Sequence, residues 1–163
     1  MTIGLYSIYL AGPIEKTTDG GRGIRQEIHT SGIMQEMLRK YLCIINDPCD
    51  FKVNAKYKSF AETRKHETDW CNIVRNIVIT DLQAVENSDA IIAIINPCLS
   101  FGTVAEISLA LHKGIPVFAY VQGVDLNEMH PWVSACITKT AYSIEELTQN
   151  IEEFCQSQLP HQK

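Results

Sequence analysis

The run Asp89-Ala90-Ile91-Ile92-Ala93-Ile94-Ile95 limits the folds open to this chain more than any other stretch. After the opening aspartate every residue is apolar, so a strand here has no face suited to water. Antiparallel sheets commonly keep one face wet and alternate polar with apolar residues. A strand apolar on both faces belongs at the centre of a parallel sheet covered by helices on each side. The rest of the chain must therefore supply neighbouring strands and two helical layers.

It does so in alternation. Ile3 to Leu10 is apolar and β-branched and stops at Ala11-Gly12-Pro13, the pattern of a buried strand ending in a turn. Ile24, Ile28, Ile33, Met34, Met37 and Leu38 predict one helix with a single core face, running through Gly32. Tyr41 to Asn46 reads as a second strand, closed by Asp47-Pro48. From about Thr68, the residues Trp70, Ile73, Val74, Ile77, Val78, Leu82 and Val85 recur at helical spacing. A helix over 101–112 ends at Gly114, Ile115 to Val121 is a strand, and Ala135 to Tyr142 holds a short last strand. Ser143 caps a final helix with Glu145 and Glu146 in its first turn. Residues 49–67 are polar and contain four lysines. A segment of that length is an active-site loop, a lid, or simply mobile.

The 163 residues contain no internal repeat and no low-complexity linker, so a single domain spanning 1–163 is expected. Five strands alternating with helices predict an α/β, flavodoxin-like (Rossmann-like) three-layer sandwich with a parallel sheet in the order 2-1-3-4-5. Its switch point lies between the first and third strands. Ligands bind there, at the carboxyl ends of the strands, which selects residues 11–25 and 96–106 before any chemistry is considered.

Composition excludes several partners. Nineteen acidic residues against 14 basic ones give a formal charge of −5, and no basic stripe with interleaved aromatics occurs. Neither nucleic acid nor an anionic membrane is an expected partner. No apolar run approaches the ~20 residues of a membrane span. Met1 to Tyr6 has no basic flank or cleavage pattern, and the six cysteines form no C-x-x-C pair. Reduced thiols in the cytoplasm are the expectation. Cys49, His66 and Cys71 lack the tight spacing of a metal site.

In the first loop, glycines permit close backbone approach and Arg22 and Arg25 carry donors suited to phosphate. The spacing fits neither a dinucleotide fingerprint nor a P-loop, and a flexible glycine-rich connection is the competing reading. In the second loop, Gly102 and Thr103 open a helix at the end of the central strand. Glu106 lies one turn further in, on an otherwise apolar stretch, and either faces the crevice or serves the helix dipole at the surface. Asp81, on the helical face of Ile77, Val78 and Val85, is either a partly exposed acid or a proton-transfer group at the crevice. Tyr9, near the end of the first strand, is aimed towards the same place.

These residues resemble the nucleoside 2-deoxyribosyltransferase superfamily, which includes deoxynucleoside 5′-monophosphate N-glycosidases. The carriers are Ile8-Tyr9-Leu10-Ala11-Gly12-Pro13, Asp81-Leu82 with Ser88-Asp89, Gly102-Thr103 with Glu106-Ile107, and Gly114-x-Pro116-Val117. The likeness spans about residues 3–121, with 49–67 unmatched. It implies a flavodoxin-like fold, no cofactor or metal, and cleavage of the N-glycosidic bond of a 2′-deoxynucleoside. By the resemblance Glu106 is the nucleophile, Asp81 the acid that assists the leaving base, and Tyr9 the group that orients Glu106. Gly12, Gly21, Arg22, Arg25, Ser100, Gly102 and Thr103 are the implied substrate-binding residues, and Asp89 is structural. Family members are dimers or larger. Residues 127–134, with His130 and Trp132, match poorly and receive no role.

One departure refines the reading. Transferases acting on free nucleosides commonly carry an aspartate six residues before the nucleophile, where this chain has Ser100. A carboxylate there repels a 5′-phosphate, whereas a hydroxyl and helix-start amides donate to one. Ser100 and Gly20-Gly21-Arg22 both resemble the monophosphate N-glycosidase branch. The expected reaction is hydrolysis of a deoxynucleoside 5′-monophosphate. Base exchange on free deoxynucleosides, a non-catalytic nucleotide sensor and cleavage of NAD-like or ribonucleotide substrates are the alternatives.

Overall fold

The computed structural model describes residues 5–14, 22–50, 64–66 and 68–158. Five parallel strands form one sheet: β1 (Tyr6–Ala11), β2 (Cys43–Asn46), β3 (Ala90–Ile95), β4 (Val117–Val121) and β5 (Lys139–Ala141). Their order is β2-β1-β3-β4-β5, as the alternation of elements predicts. Tyr9 pairs with Asn46 on one side and Ile91 on the other, and Ala11 pairs with Ala93. All six residues of β3 are buried.

Strand alternation sorts the core into two layers. Ile8, Leu10, Ala90, Ile92, Ile94, Phe118 and Tyr120 point to the side of α1 (Arg22–Thr30), α2 (Gly32–Lys40) and α6 (Ile144–Gln158). Tyr9, Ala11, Ile91, Ala93, Ile95, Val117, Ala119 and Val121 point to the side of α3 (Trp70–Glu86), α4 (Phe101–Lys113) and α5 (Pro131–Cys136). A period of two along each strand is enough to produce this sorting.

Three local expectations need correction. The helix predicted through Gly32 is two helices, broken at Ser31. That residue has extended backbone (φ −60°, ψ 123°), and its hydroxyl accepts the Met34 amide, so it caps α2 rather than continuing α1. Ala135 and Cys136 end α5 instead of starting the last strand, which is confined to Lys139–Ala141. On α3 the buried stripe is Ile77 and Val85, whereas Val78 is 43% exposed. The predicted strand start at Ile3 and most of segment 49–67 lie outside the described residues.

Gly114 ends α4 in the left-handed region, at φ 71°. A Cβ there would meet nothing within 4 Å, so substitution is penalised by backbone conformation alone. Gly114→Ala is expected to cost about 1 kcal/mol, measured as a lower urea midpoint with an unchanged m-value.

Candidate active site

The site lies where β1 and β3 end, between the two directions in which the chain leaves the sheet. Tyr9 sits two residues before Ala11 on β1 and points into the α3–α4 layer. Glu106, on the second turn of α4, is buried among apolar residues of that layer. The Tyr9 hydroxyl donates to Glu106 Oε1 at 2.7 Å, joining residues 97 apart in the chain. A carboxylate in an apolar layer loses its hydration, and this one bond replaces part of it.

The electrostatics follow from burial. The Glu106 carboxyl is raised to about 8: desolvation is the largest cause, the Tyr9 hydrogen bond opposes it, the Asp81 charge adds to it and the Arg25 charge opposes it. Burial and the negative charges of Glu106 and Asp81 hold the Tyr9 phenol well above its ordinary range, so it stays a donor. Asp81 is half-buried on α3, and its charge bears on both Tyr9 and Glu106. The structure thus brings the three sequence-predicted catalytic residues together from β1, α3 and α4.

Ser100 caps α4. Its hydroxyl accepts the Thr103 amide at 3.1 Å and lies 3.0 Å from Thr103 Oγ1. Gly102 is exposed and Thr103 buried in the same first turn. Thr103 precedes Glu106 by three residues, so both share one face of α4. Arg22 is exposed at the start of α1, and Gly21 lies outside the described residues.

Arg25 does not stand beside Arg22 at the surface. It is 2% exposed, and its guanidinium is engaged by protein acceptors. Nη1 donates to the Leu10 carbonyl at 3.0 Å and to Asp47 Oδ1 at 2.6 Å, while Nη2 donates to the Gly12 carbonyl at 2.9 Å. A Cβ on Gly12 would come within 3.0 Å of Ile94 Cβ and 3.3 Å of Arg25 Nη2. Gly12 therefore has no side chain because β3 and Arg25 occupy the space. Asp47 Oδ1 also accepts the Cys49 amide at 2.9 Å, and Oδ2 lies 3.3 Å from His29 Nε2. Burial alone would raise Asp47, but the His29 bond, the Arg25 charge and the Cys49 amide hold it below its ordinary value.

Asp47 is the residue that sequence reasoning missed. Asp47-Pro48 reads as an ordinary strand terminator. The available signal was its position, an acid at the carboxyl end of the strand next to the switch point.

No group of His, Cys, Asp or Glu suited to a metal ion occurs among the described residues, and no helix described is long and apolar enough to cross a membrane. No family model matches the sequence, and no curated protein does either. Among solved structures, the chain is similar to a 2-deoxyribosyltransferase from the psychrotolerant bacterium Bacillus psychrosaccharolyticus. The TM-score is 0.57 at 14% identity, over 87% of this chain and 90% of that one. The fold is shared with a 2-deoxyribosyltransferase. The CMP N-glycosidase BcmB of Clostridium botulinum overlays at a TM-score of 0.49 with 13% identity, over 90% of this chain and 98% of its own.

The raised Glu106 carboxyl makes a stability prediction. In the unfolded chain this group ionises near 4.5 and in the fold near 8, so the native state binds the extra proton and loses stability as pH rises between those values. Glu106→Gln keeps an acceptor for Tyr9 and removes the buried charge. Its gain over the parent should be near zero at pH 4.5 and reach the order of 4 kcal/mol by pH 8. Thermal melts of both proteins across that range test it, and a gain independent of pH would contradict the burial argument.

Proposed function

We propose that this protein is an N-glycosidase that hydrolyses a 2′-deoxynucleoside 5′-monophosphate to free base and deoxyribose 5-phosphate, and that it belongs to the nucleoside 2-deoxyribosyltransferase superfamily. The observation that carries this reading is the buried Tyr9–Glu106 bond at the switch point, with Ser100 capping the adjoining helix. A carboxylate held in an apolar layer is costly for stability and useful for chemistry. The fold shared with a 2-deoxyribosyltransferase supports the reaction class.

In the first step a Glu106 oxygen bonds to C1′ of the sugar as the C1′–N bond breaks. The bonding pair leaves with the base, which receives a proton from Asp81. In the second step water attacks C1′, its proton returns to Asp81, and the C1′–O bond to Glu106 breaks to restore the carboxylate. The sequence is that of retaining glycosidases. Tyr9 holds Oε1 and leaves the second oxygen to the sugar. The transition state carries positive charge at the sugar, which favours the ionised form of Glu106 at the moment it is needed.

The 5′-phosphate is assigned to the N-terminal turn of α4, at Ser100, Gly102 and Thr103, with Arg22 and Gly21 from the first loop. The helix dipole and its unpaired amides favour an anion there. Exchange onto a second base is the competing outcome, because one similar solved structure is a transferase. A second copy of the chain is the expected partner. Val78, Ile79, Phe101, Leu111 and Trp132 are exposed on α3, α4 and α5, and Phe101 is 92% exposed. A second copy would cover this layer, giving a species of twice 18.3 kDa in sedimentation.

Chromatography of base release from deoxynucleosides and their monophosphates, with and without a second base, is the decisive experiment. Release from monophosphates alone, abolished in Glu106→Ala, is expected. A new nucleoside formed from a free nucleoside and a base would make the protein a transferase. Retained release in Glu106→Ala would remove Glu106 as nucleophile. kcat/KM should follow a bell-shaped pH profile with one limb at about 8, because the free enzyme must hold Glu106 ionised and Asp81 protonated together. Ser100→Asp preserves a good helix cap, so the fold should survive while activity on the monophosphate falls about tenfold or more through repulsion of the phosphate. Equal activity in that variant would dissociate Ser100 from phosphate recognition.

A further inference from the structure

Arg25 and Asp47 form an ion pair whose side chains are 3% and 5% exposed, and the buried Arg25 Nε has no partner among the described residues. A buried pair with an unsatisfied donor is a poor way to gain stability, since an apolar pair of similar volume often does as well. What an apolar pair cannot do is grip the backbone. Arg25 reaches from α1, in one helical layer, to the carbonyls of Leu10 and Gly12. Those carbonyls bracket the end of β1, immediately beyond Tyr9, whose side chain enters the opposite layer.

We propose that Arg25, locked in place by Asp47, is a positioning residue of the active site: it fixes the end of β1, so that the Tyr9 hydroxyl meets Glu106, and it lays a positive charge behind that pair. Asp47 is the anchor. It takes Arg25 on Oδ1 together with the Cys49 amide, and presents Oδ2 to the half-exposed His29. Through this chain the carboxyl end of β2 is tied to the carboxyl end of β1. The groups acting on Glu106 among the described residues are Tyr9 from β1, Asp81 from α3 and Arg25 from α1. Tyr9 and Arg25 favour its ionised form and Asp81 opposes it. Loss of Arg25 removes one favourable influence directly and loosens the other.

This inference rests on Glu106 as the reacting carboxylate, yet its test does not require turnover. The full chain labelled with ¹³C at glutamate carboxyls is titrated by NMR, with the Glu106 resonance assigned by its absence in Glu106→Gln. The parent should show a midpoint of about 8. The Arg25→Met, Asp47→Leu double variant removes both charges, so neither is left buried alone. Its Glu106 midpoint should move upward by about one pH unit or more. Arg25→Lys keeps the charge without the fork that spans two carbonyls, and should give a smaller upward shift. Asp47→Asn, which weakens the anchor, should move it in the same direction and serves if the double variant does not fold. A folded variant lacking Arg25 whose Glu106 titrates like the parent overturns the proposal. So does full restoration by Lys, which would reduce Arg25 to a bare charge. Base release measured on the same samples separates the two ideas: a shifted midpoint without any base release in the parent would sink the proposed reaction and leave the positioning role standing.

Discussion

Covering both faces of β3 is the constraint on which the rest of the structure depends. Ala90, Ile92 and Ile94 need one helical layer, and Ile91, Ala93 and Ile95 need another. A chain that satisfies both must leave the sheet first to one side and then to the other, because parallel strands require crossovers that pass over a face. The place where it changes direction is a crevice between the carboxyl ends of β1 and β3. Arg25 from one layer reaches the end of β1 there, and Tyr9 of the same strand meets Glu106 in the other layer.

Burial of Glu106 is the second consequence. Position 106 falls on the core-facing stripe of α4 beside Ile107 and Ala110, so the fold removes a carboxylate from water whatever its use. Tyr9 is the partner that makes this tolerable, and Asp81 is close enough to raise the proton affinity of the site further. A carboxyl that would be fully ionised at the surface is thereby poised to change charge near neutrality. Holding that carboxyl in the apolar layer gives up stability between about pH 4.5 and 8.

The periodic parts of this architecture were legible in the sequence. Runs such as Ala90–Ile95 and Val117–Val121 announce strands buried on both faces, and their alternation with helical segments yields the sheet order without coordinates. Local competition was harder to read. Ser31 interrupts an apolar pattern that continues unbroken from Ile28 to Met34, because its hydroxyl offers the Met34 amide a better partner than another helical turn. Ala135 and Cys136 belong to a short helix begun at Pro131, where proline is favoured at the first turn.

Residue types and spacing by themselves determined the layers, the switch point and three groups that point to it: Tyr9, Asp81 and Glu106. They did so because burial imposes a period of 2 on strands and of 3.6 on helices, and periods are written locally. Only tertiary structure decided which groups face one another. Arg22 and Arg25 look alike in a glycine-rich loop, yet one is exposed while the other is sealed against Asp47, 22 residues away. A buried charge is fixed by the partner that neutralises it, and that partner arrives from another strand. No local pattern specifies it.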